Sequence, residues 1–335
     1  MTLHRGGYSM ANIKEVAKRA GVGIATVSRV INNSGYVKKE TREKIEQVID
    51  DLGYVPNEIA RSMTRQRTNI VAFVLPHSNH IFFSELLYHV ENNLYDYGYK
   101  LMVCNSASNR NKEIDYINML KNNRVDGIIF LTSNDIEAYL RPHWPIVSFD
   151  RHFQNIPFVA SDNYAGGRLA AQALLRHNPQ SLLFIGDDAQ GELSRITTEV
   201  SKRRMGFVEA LEDAGFKNYR IIEYPQGDAF IPISYIHELI HQHRDVDGIF
   251  AISDMLAQHV IQALEDVGRK VPDDVKVIGY DGVKGYLNMG PNITSIGQPI
   301  TELAAALVES IIKQIDGKPV DTIMLPVHFV EGDTL

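Results

Sequence analysis

Gly21–Asn33 reads "GVGIATVSRVINN". Its apolar positions Val27, Val30 and Ile31 recur at i, i+3 and i+4, the spacing of one buried stripe on a helix. That leaves Ala25, Ser28, Arg29 and Asn32 on the opposite side, a face of small and polar side chains with one long cation. The flanks supply two more helices. Asn12 is placed to cap the first, with Ile13, Val16, Ala17 and Ala20 at i, i+3, i+4 and i+7, and Gly21 stops it. The third runs from about Lys39, repeats the pattern at Ile45, Val48, Ile49 and Leu52, and ends at Gly53. A short turn between the first two helices is the mark of a helix-turn-helix. In such a unit the second helix enters the major groove, where Arg29 can hydrogen-bond guanine and Ala25 can touch a thymine methyl.

A plain helical hairpin docked on another domain has the same pattern; the basic balance, the Gly21 turn and the polar outer face together favour the DNA-reading unit. Residues 1–68 hold 12 Lys+Arg against 7 Asp+Glu, whereas the remainder holds 22 against 34. A basic front attracts phosphate, and an acidic body does not compete for it. At 335 residues the chain is too long for one small core, so two or three folding units are expected. It has no apolar run of membrane-spanning length, and "MTLHRGGYSM" has no apolar core of signal-peptide length. These point to a cytoplasmic protein without a membrane partner. Cys104 is the single cysteine; within "KLMVCNS" it reads as a small buried strand residue rather than a reactive thiol.

The stretch "NIKEVAKRAGVGIATVSRVINNSGYVKKETREKIEQVIDDLGYVPNEIARSM" resembles the headpiece of the lactose/galactose repressor (LacI/GalR) family over about fifty positions. The resemblance implies that Ile24, Ala25 and Arg29 read bases, while Asn12, Thr26, Ser28 and Asn32 hold phosphates or neighbouring bases. Two positions depart from the family. Gly23 and Lys38 stand where serine caps are usual, so neither helix start has a side-chain acceptor. In "PNEIARSMTRQRTN" the resemblance implies a hinge helix that orders on DNA, with Asn57, Ala60 and Met63 facing the minor groove and Met63 in the place of a wedging leucine. A flexible linker would have the same composition.

From Asn69 on, apolar runs ("NIVAFVLP", "KLMVCNS", "VDGIIFLTS", "PIVSFDR", "SLLFIGDD", "GIFAISD", "VKVIGYDG") alternate with amphipathic segments. Continuous apolar strands with crossover helices make parallel sheets covered on both faces. There are too many strands for one sheet, so an α/β core of two doubly wound halves is expected, and the resemblance implies a periplasmic-binding-protein-like arrangement. The expected division is a headpiece at 10–56, a hinge and linker at 57–68, and a core at 69–335. Within the core, the first half takes about 69–162 plus 295–320, and the second about 163–294 plus 321–335.

Ligands in such folds bind beyond the carboxyl ends of the strands. The residues there include His77, Ser78 and Asn79; Thr132 and Ser133; Asp150; Ser253 and Asp254; and Asp281. With Phe83 and Phe230 as flat apolar walls, Ser78, Asn79, Asp150, Ser253, Asp254 and Asp281 form a candidate effector site for a ligand rich in hydroxyls. The resemblance adds Arg203 and Gln298 and singles out Asp150 and Asp281. Simpler readings stand beside these: Ser253-Asp254 as a helix cap, and one of Phe82 and Phe83 as core.

No nucleophile elbow, phosphate loop or dinucleotide fingerprint is present. "HELIHQH" at His237–His243 has zinc-protease spacing but sits where the resemblance implies a surface crossover helix. The expectation is therefore not an enzyme, with no metal and no cofactor. It is a homodimeric repressor of a carbohydrate-catabolic operon, released from a pseudopalindromic operator by a small sugar. A corepressor-type regulator controlled by a purine or phosphoprotein is the alternative, ahead of a sugar-binding protein without a DNA role. "FDR", "SDNYAGG", "VIGYDG" and "SIGQPI" look most like repressors of sucrose or related oligosaccharide operons.

Overall fold

The computed structural model describes residues 12–55, 67–187, 198–224, 232–283 and 292–335. The expected roles of Asn57, Ala60, Met63 and Phe230 lie outside the described residues. The chain divides into two units, residues 1–68 and 69–335.

In the first unit, α1 (Ile13–Ala20), α2 (Ile24–Ile31) and α3 (Lys39–Leu52) follow the three sequence patterns. The Asn12 side chain accepts from the backbone N–H groups of Lys14 and Glu15 at 3.0 and 3.1 Å. The helix ends at Gly21 and Gly53 take positive φ, +68° and +56°, where glycine carries no Cβ penalty. α2 and α3 start at Gly23 and Lys38 with no side-chain cap. Val16, Ala17, Ala20, Val27, Val30 and Ile45 form the small core.

In the second unit, β1 (Ile70–Leu75), β2 (Lys100–Asn105), β3 (Gly127–Phe130), β4 (Ile146–Phe149), β5 (Phe158–Ser161) and β11 (Ile323–Leu325) make one sheet, ordered β11-β5-β4-β3-β1-β2 and parallel throughout. A second sheet has the order β12-β10-β9-β8-β6-β7. It is built from β6 (Leu182–Asp187), β7 (Tyr219–Tyr224), β8 (Gly248–Ala251), β9 (Lys276–Asp281), β10 (Thr294–Gly297) and β12 (His328–Val330). Only β12 runs antiparallel to its neighbour, β10. Nearly every residue of β1, β3, β4, β8 and β9 is buried, as strands covered on both faces require. The covering helices of the first half are α4 (Ile81–Asp96), α5 (Arg110–Lys121) and α10 (Ile300–Ile315). Those of the second are α6 (Asn163–Leu175), α7 (Lys202–Asp213), α8 (Ile233–Gln242) and α9 (Asp254–Asp266).

The expected subdomain edges need correction. β10 pairs with β9 and β12, so 295–297 joins Thr294 in the second half rather than the first; β11 pairs with β5, so 323–325 belongs to the first half, not the second. Strands this short carry too little pattern to choose a sheet. The free edge of an existing sheet decides it. Cys104 is buried, and desolvation pushes its thiol up to about 11, which suits a structural residue. Among the described residues no helix is long and apolar enough to cross a membrane.

Candidate functional site

On α2, Val27 and Val30 turn inward, and Ile24, Ala25 and Arg29 are exposed, Ile24 by 46%. Thr26, Ser28 and Asn32 are half-buried at the flank. The Asn32 amide donates to Ser28 Oγ at 3.1 Å, which fixes both side chains on the helix flank. Asn12 uses its side-chain oxygen as the α1 cap. With Oδ1 used in this way, the amide N–H2 is the donor group of the Asn12 side chain. Tyr36, in the turn after α2, is 85% exposed and was not singled out from sequence.

In the second unit a cavity of about 260 Å³ opens at the carboxyl ends of both sheets. The first half contributes His77, His80, Phe82, Phe83, Thr132, Ser133, Phe149 and Asp150, and the second contributes Thr198, Arg203, Tyr224, Ser253, Met255, His259, Asp281 and Gln298. Of the expected residues, Phe83, Asp150, Arg203, Ser253, Asp281 and Gln298 meet here. Phe82 is the buried one of its pair, stacked on Phe149 with ring centroids 6.2 Å apart.

Ser78 and Asn79 lie outside the lining, in the turn after β1, where Ser78 N–H donates to Asn105 Oδ1 at 2.6 Å. Asp254 stands behind the wall. Its carboxylate accepts from Ser295 Oγ at 2.5 Å and from Val283 N–H at 2.9 Å, tying α9 to the β9 and β10 ends. Ser253 is a helix cap as well as a lining residue, accepting from Leu256 N–H at 3.2 Å. Lining residues outside the expected effector set include His80, Tyr224, Met255 and His259, together with His77, Thr132 and Ser133 at the strand ends.

Arg203 organises the polar side of the cavity. Its guanidinium lies over the Tyr280 ring, 3.6 Å from the centroid. Nε donates to Asn163 Oδ1 at 2.6 Å, Nη1 donates to the Ile252 carbonyl at 2.8 Å, and Asp281 Oδ1 is 3.8 Å away. Gln298 donates to Asp281 at 2.8 Å and accepts from Ser161, so both halves fix that carboxylate. Arg203 is thus held from three elements before any ligand arrives, which lowers the entropy lost on binding.

Asp150 is buried, and among the described residues no donor reaches its Oδ1. Burial pushes its carboxyl up to about 7; Arg203 opposes the shift, and the charges of Glu199 and Asp281 add to it. Burial also raises Asp281, against Arg203 and His80, and raises Asp254, whose neighbour Asp281 adds to the effect. Burial lowers His77 and His259, which favours neutral rings. Asp150 takes the left-handed φ of +55° that Asp tolerates, while Asp281, at +107°, lies outside that region and is held there by its surroundings. The wall therefore offers fixed acceptors, one guanidinium and aromatic faces, a set suited to a polyhydroxylated ring.

On α8, His237 pairs with Asp266 at 3.3 Å and His241 with Arg244 at 2.7 Å. Among the described residues no group of three His, Cys, Asp or Glu is arranged to hold a metal ion.

Residues 12–57 match the family described as bacterial regulatory proteins, lacI family, and residues 68–332 match the periplasmic binding proteins and sugar binding domain of the LacI family. The chain is 37% identical over 332 residues to a sucrose operon repressor of Streptococcus mutans, covering 97% of this chain and all of that one. It is 36% identical to a ribose operon repressor of Halalkalibacterium halodurans, covering 93% of each. Its fold is similar to that of the transcriptional regulator CelR in complex with cellobiose, with a TM-score of 0.68 and 26% identity, covering 97% of this chain and 100% of that one. The two matched segments coincide with the two units of the fold, and the chain belongs to the LacI family of bacterial regulatory proteins.

Proposed function

We propose that this protein is a cytoplasmic, sequence-specific repressor of a carbohydrate-catabolic operon, released from its operator when a small sugar enters the cleft. The observation that carries the reading is the Arg203–Asp281–Gln298 cluster, a preset donor and acceptor array inside an aromatic-walled cavity. Ile24, Ala25 and Arg29 read base edges; Asn12, Thr26, Ser28 and Asn32 hold the backbone; Asn57, Ala60 and Met63 engage the minor groove. Two copies are required, because one reading helix covers only a half-site and twofold protein symmetry matches a pseudopalindrome.

Control follows from differential affinity. A sugar that contacts both halves binds best when they are closed on it, and a closed core that disfavours the DNA-competent pairing of the two copies lowers operator affinity. Two buried carboxylates, Asp150 and Asp281, beside one guanidinium favour an uncharged ligand. The relatives' names point to sucrose, ribose or cellobiose as first probes. Calorimetry of the full-length protein with these sugars, their phosphate esters and purines, repeated on operator DNA, tests the reading. Heat from a neutral sugar and weaker DNA binding in its presence are expected. A purine that binds and strengthens DNA binding would establish the corepressor alternative instead.

A further inference from the structure

Where the chain passes along the mouth of the cleft, the two halves of the core are bonded to each other directly. The backbone carbonyl of Asp150, just past β4, accepts from Glu199 N–H at 2.9 Å, and Arg151 and Thr198 form an isolated antiparallel bridge. The Glu199 side chain, only 1% exposed, meets His152 Nε2 from the first half and accepts from Lys202 Nζ of α7 at 2.7 Å. His152 itself packs at a tilt against Phe158, with ring centroids 4.0 Å apart. A carboxylate this buried persists only where donors surround it, and here they come from both halves.

We infer that Glu199 is a positioning residue for the cleft: it straps the Asp150–His152 segment of one half to the start of α7 in the other, and so holds Asp150 against the ligand. The inference rests on the sugar-binding reading of the same cavity. Asp150 and Glu199 are adjacent in space though far apart in sequence, and the Glu199 charge is one of the influences that raise Asp150. The other groups facing Asp150 are Arg203 of α7, Asp281 at the end of β9, Tyr280 and Asn163. Without the strap, the arrangement in which both halves face the ligand is less populated, and apparent affinity falls by that fraction.

The test is titration of full-length protein with sucrose, D-ribose and cellobiose between about pH 6 and pH 8, for the wild type, Glu199→Gln and His152→Gln. Ligand hydroxyls donate to the ionised Asp150, so wild-type affinity rises with pH around the Asp150 midpoint. Glu199→Gln is expected to weaken binding about tenfold, the scale of one charge-assisted hydrogen bond. It should also move the rise to lower pH, because a carboxylate beside Asp150 is gone. His152→Gln, at a 36% exposed side chain, should weaken binding in the same direction without lowering that midpoint. Variants that bind as tightly as wild type with an unchanged pH profile overturn the inference. If no sugar binds the wild type, the sugar reading fails separately. The strap is then judged on the ligand-free protein: Glu199→Gln should make the decline in thermal stability above about pH 4 smaller and end it at a lower pH than in the wild type, and an unchanged decline overturns it.

Discussion

Arg29 carries the base-reading claim at the level of single residues. It is exposed on α2 beside Ala25, one turn away on the same face. Replacing it by alanine should weaken operator binding by about 1–3 kcal/mol and relax discrimination at one base pair, measured against operators randomised position by position. Asp150 makes a pH claim. Its carboxyl is raised from 3.8 to about 7 in the folded chain, so the native state holds a proton that the unfolded state releases. Its contribution to stability is complete below about pH 4 and is lost as pH rises through about 7. Thermal unfolding of Asp150→Asn, compared with wild type across this window, should show a shallower decline. The place of Asp281 in the cavity lining was legible because it ends an apolar run. Asp254 looked the same from sequence but faces Ser295 and Val283, since the register of a helix start decides whether a carboxylate enters a cleft or braces its wall. His77 and His80 displaced Ser78 and Asn79 from the lining for a similar reason: the turn after β1 is pinned by Asn105, a bond made across 27 residues.

At the scale of elements, the packing of α6 on α7 sets the position of Arg203. Gly167 on α6 and Gly206 on α7 allow the closest approach: a Cβ at Gly167 would run into the Arg203 carbonyl, and one at Gly206 into the Tyr164 carbonyl, whereas Gly166 leaves room for the Tyr280 ring. Backbone neighbours cannot swing aside as a flexible side chain can. Gly167→Ala should therefore separate the helices, cost about 1–3 kcal/mol in urea unfolding and weaken sugar binding together with it. A substitution that lowers stability but leaves affinity intact would uncouple the helix pair from the site. "SDNYAGG" was recognisable as a family motif, whereas the steric reason for its glycines emerges only when the facing helix is in place. The same limit explains β10 and β11. Long apolar strands announce themselves by composition, but three- and four-residue strands are assigned by the edge available to them.

Across the whole molecule, the charge split foretold the division of labour, because long-range attraction to phosphate depends on net charge of a unit rather than on any one contact. The halves of the core were visible as alternating strands and helices; the contacts that join them at Glu199 and Gln298 were not, since they unite residues up to 137 positions apart. Both units must act together for regulation, and neither alone accounts for the function proposed. The most direct measurement is the affinity of full-length dimer for an inverted-repeat operator, selected from a random duplex library, with and without saturating sugar. Tight, selective binding that weakens when sucrose, ribose or cellobiose is added is the predicted result. No preference for any inverted repeat over random duplex, in the presence or absence of these sugars, would contradict it.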